Sequence, residues 1–271
     1  MTFQTSRKAI VVFDIDGVVR DVGGSYRRAI ADTVEHFTTQ AYRPTPLDID
    51  QLKSEGVWNN DWEASQELIY RYFETQKQSR EQLQLDYGAI VAFFQSRYRG
   101  PDPNNFTGYI CNEPLLLQPS YLEQLTQAGI AWGFFSGATR GSANYILEKR
   151  LGLKSPVLIA MEDAPGKPDP TGLFATVREL ENGIEQKSAI MYVGDTVADM
   201  YTVEKARRLD SAHLWIGVGV LPPHVQETAA RSDAYGETLK AAGAAVVLRN
   251  VQELTPRQIQ EVISSSAQSV V

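Results

Sequence analysis

A short apolar run that recurs along the chain, and ends each time near acidic or small residues, constrains the fold more than any other feature. Runs of this kind are typical of strands buried on both faces of a parallel sheet. The five predicted strands lie at 9–13, 130–135, 157–160, 189–193 and 244–248. Helical patterns follow them at 119–128, 141–151, 197–209 and from about 256 onward. Strand and helix therefore alternate, which predicts an α/β fold with a Rossmann-like parallel sheet and helices on both faces.

One long block departs from this alternation. Between residues 22 and 112, apolar residues recur at helical spacing, as in Ile30, Val34 and Phe37, and no strand pattern interrupts them. We therefore predict two domains. A catalytic core comprises residues 1–21 and 113–271, and an all-α domain is inserted at 22–112.

Composition excludes several classes of partner. The net charge of −7 argues against nucleic acid, because a phosphate backbone needs a basic face. The single cysteine, Cys111, excludes an intrachain disulfide and a thiolate zinc cluster. Residues 1–8 are polar without a signal-peptide pattern, and no apolar run is long enough to span a bilayer. We expect a cytoplasmic protein with no membrane partner, whose oligomeric state the sequence leaves open.

The predicted strand ends carry the chemistry, because ligands of open parallel sheets bind beyond the carboxyl ends of the strands. The side chains expected at this edge are Asp14, Asp16, Ser136, Asp163, Asp195 and Asp199. So many carboxylates repel one another in an empty site, and a divalent cation resolves the conflict. In GDTVAD, a helix that starts at Thr196 brings Asp195 and Asp199 together, and their oxygens suit Mg²⁺. An acidic first turn that merely caps the helix is the alternative.

Three further motifs supply the parts that phosphoryl transfer needs. In FDIDG, Asp14 is the candidate nucleophile and Asp16 the candidate acid and base. In FFSG, Ser136 and the Gly137 N–H are candidate donors to a phosphoryl oxygen, and in GKPDP Lys167 would neutralise the transferring group. Taken alone, each motif also fits a plain structural turn or helix cap. Their order, each at a strand end, favours function.

Together the four motifs FDIDG, FFSG, GKPDP and GDTVAD resemble those of the haloacid dehalogenase (HAD) superfamily, and the helical insert resembles the C1-type cap of subfamily IA. The resemblance implies a Mg²⁺-dependent phosphatase that acts on a small phosphate ester through an aspartyl phosphate. It implies catalytic roles for Asp14, Asp16, Ser136 and Lys167. It also implies metal ligation by Asp14, the Asp16 carbonyl, Asp195 and Asp199.

Departures and alternatives stay open at this point. Val18 and Val22 stand where the family often has hydroxyl residues, so the substrate does not follow by analogy. Dehalogenases resembling this chain lack the second aspartate, which is present here. A sugar-phosphate mutase is an alternative, as is a phosphonate hydrolase with a Schiff-base lysine at Lys53 or Lys77, and so is a catalytically silent binding protein.

Candidate substrate contacts, beside Gly137, are Arg20, Asn60 and Asp61. Arg20 follows the nucleophile, and the other two lie between Trp58 and Trp62 in the insert, where a helix cap is the competing interpretation. The substrate itself stays open among sugar phosphates, phosphoglycolate-like esters, histidinol-phosphate-like esters and others.

Overall fold

The computed structural model describes residues 9–58, 60–181 and 188–268. Within these residues, six strands form one parallel sheet in the order β3-β2-β1-β4-β5-β6. Their bounds are β1 Ala9–Phe13, β2 Ala131–Phe135, β3 Leu158–Ile159, β4 Ala189–Gly194, β5 Leu214–Val220 and β6 Ala244–Leu248. The predicted fold class is confirmed. Residues 1–8, where we predict no signal peptide, lie outside the described part.

Ten α-helices accompany the sheet in the described residues. They are α1 Tyr26–Phe37, α2 Pro46–Ser54, α3 Asp61–Thr75, α4 Tyr87–Tyr98, α5 Pro119–Gln127, α6 Arg140–Asn144, α7 Thr171–Glu181, α8 Val197–Leu209, α9 Ala229–Ala241 and α10 Pro256–Gln268. The chain continues from α6 as a π-helical segment, Tyr145–Arg150. No helix in this part of the chain combines the length and the apolar character needed to cross a membrane.

Helices cover both faces of the sheet, as the sequence predicts. Alternate side chains of a strand point to opposite faces. Ile10 and Val12 of β1 join a buried cluster with residues of α7 and α8, such as Leu173 and Val203. Phe13, on the other face, packs edge-on against Tyr121 of α5 at 6.2 Å between ring centroids. The central strand β1 is therefore fully buried, and its carboxyl end is fixed from both sides.

The chain divides into two compact units, Met1–Asp21 with Leu115–Val271, and Val22–Pro114. The second unit has helices and no strands in residues 22–58 and 60–114. Its helices α1, α3 and α4 pack against one another around buried Ile30, Val34, Ile69 and Phe94. A capping box at Thr45 starts α2, with Pro46 in the first turn.

Candidate active site

Three carboxylates meet at the carboxyl edge of the sheet, and two of them, Asp14 and Asp195, follow strands that are neighbours in register. Phe13 of β1 pairs with Val193 of β4, and the Asp14 N–H donates to the Val193 carbonyl at 2.8 Å. Asp14 and Asp195 thus leave adjacent strands at the same level, and α8 brings Asp199 back to them. One carboxylate oxygen from each of the three aspartates lies within 4.8 Å of the others, and all three side chains are buried.

Lys167 bridges two of these carboxylates. Its Nζ lies 2.9 Å from Asp14 Oδ1 and 2.7 Å from Asp199 Oδ1. The aromatic faces of Phe135 and Tyr192 lie 5.5 and 5.3 Å from the same nitrogen. The ammonium is held between anions and ring faces, so it presents a fixed positive charge beside Asp14.

Asp199 has both oxygens engaged. Its Oδ2 accepts hydrogen bonds from the Thr196 N–H at 2.9 Å and the Thr196 hydroxyl at 2.6 Å, which closes a capping box at the start of α8. Its Oδ1 faces Lys167 and accepts from the Tyr192 hydroxyl at 3.2 Å. Asp199 therefore caps α8 and also lies in the acidic cluster, while its ligation of a metal stays a prediction.

The site carries an electrostatic conflict. Burial raises the pKa of Asp14 to about 7, with Lys167 opposing the rise and Asp199 and Asp16 adding to it. Burial, followed by the charges of Asp199 and Asp14, raises the pKa of Asp195 well above its usual range. For Lys167 burial works to lower the pKa, but Asp14 and Asp199 outweigh it and the pKa is raised. One cation among three buried carboxylates leaves excess negative charge.

The donor set fits a hard divalent cation. The three clustered aspartates offer oxygen ligands alone, which is the preference of Mg²⁺. The backbone also leaves room that a side chain would fill. Gly17 has φ of +74°, and a Cβ there would lie 2.0 Å from Asp195 Oδ2. Asp14 and Asp195, with Asp199, are the residues that could hold the ion; ligation by the Asp16 carbonyl stays a prediction.

The loop after β1 turns at Gly17. The N–H groups of Val19 and Arg20 donate to the Ile15 carbonyl at 2.8 and 3.2 Å, and the Gly17 N–H donates to the Arg20 carbonyl at 2.9 Å. This tight turn takes Asp16 out of the direction of β1. The Asp16 side chain keeps 31% of its surface exposed and pairs with Arg20.

Ser136 and Gly137 follow β2, the strand next to β1. The Ser136 N–H donates to the Ile159 carbonyl at 3.0 Å, and its hydroxyl accepts from the Ala138 N–H at 3.1 Å. Gly137 is exposed, and a Cβ there would meet no atom within 4 Å. Its backbone is therefore open to a small ligand at the same edge of the sheet.

The remaining predicted contacts have local partners. Arg20 is fully buried and bonds Asp16 rather than standing open to a substrate. Asn60 caps α3, accepting from the Trp62 and Glu63 N–H groups at 2.9 and 3.4 Å. Asp61 forms an ion pair with Lys53 at 2.7 Å. Asp163 also has a structural task, since its Oδ2 accepts from the Ala160 N–H.

Two tyrosines support the site without having been predicted. Tyr192 on β4 binds Asp199 through its hydroxyl and also donates to the Phe135 carbonyl at 3.0 Å. Tyr235 on α9 donates to the Asp195 carbonyl at 2.9 Å. Tyr192 lies two residues before Gly194, so its place near a strand end was a usable signal. Tyr235 lies far along the chain and offers no such signal.

The chain is similar to known proteins in sequence. The family model of haloacid dehalogenase-like hydrolases matches residues 8–207. A relative from Phytophthora nicotianae, named imidazoleglycerol-phosphate dehydratase, is 32% identical over 248 residues, which are 88% of this chain and 49% of the relative. The chain therefore spans about half the length of that curated relative.

Solved structures share the fold. A phosphonoacetaldehyde hydrolase-like protein from Oleispira antarctica superposes with a TM-score of 0.68 at 16% identity, over 97% of this chain and 94% of the other. Phosphatase Tt82 from Thermococcus thioreducens gives a TM-score of 0.57 at 23% identity, over 75% of this chain and 90% of the other. The matched family model covers most of the sheet and all four motifs, so the chain belongs to the haloacid dehalogenase-like hydrolase family.

Proposed function

We propose that the protein is a Mg²⁺-dependent phosphomonoester hydrolase that acts on a small phosphorylated metabolite through an aspartyl phosphate at Asp14. The observation that carries the proposal is the pairing of a buried strand-end carboxylate with a fixed ammonium, Asp14 Oδ1 and Lys167 Nζ at 2.9 Å, inside a cluster of further carboxylates. A buried carboxylate whose pKa is shifted by burial and by specific charged neighbours is typical of a functional site.

The proposed reaction has two displacements at phosphorus. In the first, an Asp14 oxygen forms a bond to phosphorus while the bond to the ester oxygen breaks, and Asp16 gives its proton to that oxygen. In the second, Asp16 takes a proton from water as the water oxygen bonds to phosphorus, and the bond to Asp14 breaks. Inorganic phosphate and the free alcohol are the products, and both aspartates return to their starting states.

The other predicted residues stabilise charge. Lys167 would face the phosphoryl oxygens from the side of Asp14, and the Ser136 hydroxyl and the open Gly137 N–H would donate to them. Bound Mg²⁺ would supply positive charge that holds Asp14 ionised and offsets charge on the phosphoryl group. Asp199, whose oxygens are engaged by Thr196 and Lys167, would act on the ion through water and by orienting Lys167.

The reaction product distinguishes the proposed phosphatase from two alternatives, a mutase and a catalytically silent binding protein. A mutase of the same family would return the phosphoryl group to the sugar, so it would release a phosphate isomer in place of inorganic phosphate. A silent binding protein would release neither. The four motifs keep all their candidate residues, and Lys167 lies beside the cluster of Asp14, Asp195 and Asp199, which supports a working enzyme over the silent protein.

The name of the Phytophthora relative supports a direction for the substrate. It places the matching sequence in a protein that acts on imidazoleglycerol phosphate, which is itself a phosphate monoester. Imidazole-bearing phosphate esters, with histidinol phosphate among them, therefore stand first in a substrate panel, followed by sugar phosphates and phosphoglycolate.

We also propose that the helical insert, residues 22–112, serves as a C1-type cap domain, that residues 1–21 and 113–271 form the catalytic core, and that the enzyme works in the cytoplasm. A lid that excludes water would protect the acyl phosphate until the second displacement. Asn60 and Asp61 remain candidates for substrate contacts within this insert, beside their structural bonds.

The test is a turnover assay on that panel with Mg²⁺ and with a chelator. We expect release of inorganic phosphate that depends on the metal and is abolished in Asp14→Asn. Ser142→Ala, a change at a buried hydroxyl in α6 outside the four motifs, is the folded control. Phosphate release that persists unchanged after chelation, or in folded Asp14→Asn, would contradict the proposal.

A further inference from the structure

The Arg20 guanidinium is fully buried and lies against the carboxylate of Asp16. Its Nε donates to Asp16 Oδ1 at 2.7 Å, and its Nη2 lies 2.5 Å from the same oxygen. Both nitrogens therefore contact the same carboxylate oxygen, Asp16 Oδ1. The Asp16 side chain nevertheless keeps 31% of its surface exposed, so it is held without being covered.

The backbone that carries Arg20 is itself fixed. Its N–H donates to the Ile15 carbonyl, and its carbonyl accepts from the Gly17 N–H at 2.9 Å. It forms β-bridges to Asp16 and to Leu115, and the neighbouring Val19 carbonyl accepts from the Leu116 N–H at 2.8 Å. The Arg20 backbone is thus held by hydrogen bonds within the turn and by pairing with Leu115. Its side chain therefore extends to Asp16 from a backbone of fixed position.

The Arg20–Asp16 pair differs from a surface ion pair because its guanidinium is buried. A buried guanidinium is costly unless an anion or several acceptors satisfy it, so Arg20 favours conformations that keep Asp16 at its side. Arginine presents its donors in a planar fork, which fixes direction as well as distance. An unrestrained aspartate has two soft torsions, and proton transfer needs the carboxyl within hydrogen-bond reach of the reacting oxygen.

We propose that Arg20 is a positioning residue that holds the Asp16 carboxylate by Oδ1, so that Asp16 is oriented for proton transfer to the leaving oxygen. This inference rests on the proposed function of Asp16. Arg20 is fully buried and so does not contact the substrate; it would act on the reaction only through Asp16. We also predict a specific defect when the arginine is lost, since only steps that need the Asp16 proton should slow.

Two phosphate esters with different leaving groups distinguish a loss of proton transfer by Asp16 from a general loss of activity. The p-nitrophenolate ion departs without a proton, whereas the alkoxide of glycerol 2-phosphate needs one, and kcat/KM reports the steps up to formation of the aspartyl phosphate. We expect Arg20→Met to lower kcat/KM for glycerol 2-phosphate by roughly 10- to 100-fold, which is part of the roughly 100- to 10,000-fold that general acid catalysis contributes. For p-nitrophenyl phosphate we expect a loss of at most about threefold, and Arg20→Lys should restore part of the lost activity.

A double-mutant cycle tests whether Arg20 acts through Asp16. In an Asp16→Asn background, Arg20→Met should cause no further loss for glycerol 2-phosphate, because the effects of two residues that act as one unit do not add. The control is Arg207→Met, which removes a more exposed arginine that donates to the Trp215 carbonyl near the start of β5, at the opposite end of the strands from the site. It should leave the ratio of the two kcat/KM values unchanged.

Three results would overturn the inference: equal losses with both esters, additive losses in the Asp16→Asn background, or failure of both Arg20 variants to fold. The last would make Arg20 a part of the fold rather than a positioning residue. Wild-type protein that hydrolyses neither ester would count against the proposed function instead, so the two failures are distinct.

Discussion

Replacing Gly17 with alanine tests how closely the turn after β1 is matched to the acidic cluster. The residue has φ of +74°, a left-handed conformation that alanine adopts at a cost of about 1–2 kcal/mol. The added Cβ would also lie 2.0 Å from Asp195 Oδ2 and 2.4 Å from its Cγ, so the carboxylate has to move. Forced shifts of this kind in packed interiors cost about 1–3 kcal/mol. We expect a total loss of about 2–5 kcal/mol in the free energy of unfolding.

Gly129 provides a matched control. It follows α5 with the same φ of +74°, and a Cβ there would meet no atom within 4 Å. Gly129→Ala should therefore cost the conformational part alone, about 1–2 kcal/mol. Urea unfolding of both variants gives the difference, and titration of activity with Mg²⁺ shows whether Gly17→Ala alone weakens metal activation. Equal stability losses, or equal Mg²⁺ responses, would refute the steric reasoning.

Three further outcomes are expected. In the presence of chelator, folded Asp14 has a pKa of about 7 against 3.8 for the free side chain, so the folded state holds more protons between these values and its stability falls as pH rises from about 4 to 7. This should amount to as much as about 4 kcal/mol, visible as a pH-dependent stability gap between wild type and Asp14→Asn; a gap that is constant with pH contradicts it. Asp14→Asn should reduce kcat by several orders of magnitude while thermal unfolding stays cooperative, and near-normal turnover would remove Asp14 from its role. Asn60→Ala should lower stability by about 1 kcal/mol through loss of the α3 cap; if it also lowers kcat/KM for the physiological ester more than for p-nitrophenyl phosphate, the residue has both tasks, whereas unchanged stability would contradict the capping role.

The sequence predicted the strands that precede the motifs, because those strands are short apolar runs with at most one internal glycine. It missed β5, Leu214–Val220, whose sequence LWIGVGV is broken by two glycines that weaken strand propensity. Tertiary pairing with β4 and β6 overrides that propensity. It also missed α7 and α9, since α9 has no clear apolar stripe and is held by contacts to β5 and β6.

The site was predictable to the extent that chain-local patterns determine it. Motif spacing placed Asp14, Asp195 and Asp199 at strand ends, and sheet register then brought their oxygens together. Side-chain pairing was not predictable in the same way. From the sequence, Arg20 was a candidate substrate contact near the nucleophile. Its bond to Asp16 depends on the turn at Gly17 and on burial, which the sequence does not show. Tyr235 reaches Asp195 through a helix 40 residues along the chain.

The central claim is the covalent role of Asp14, and borohydride trapping tests it most directly. Enzyme turning over p-nitrophenyl phosphate with Mg²⁺ is quenched and reduced, which converts an aspartyl phosphate into homoserine. Peptide mass spectrometry then identifies whether residue 14 is aspartate or homoserine. The account predicts homoserine at position 14, dependent on substrate and absent in Asp14→Asn. Unmodified Asp14 in an enzyme that is turning over and accumulates a phosphoenzyme elsewhere, or homoserine at a different aspartate, would contradict it.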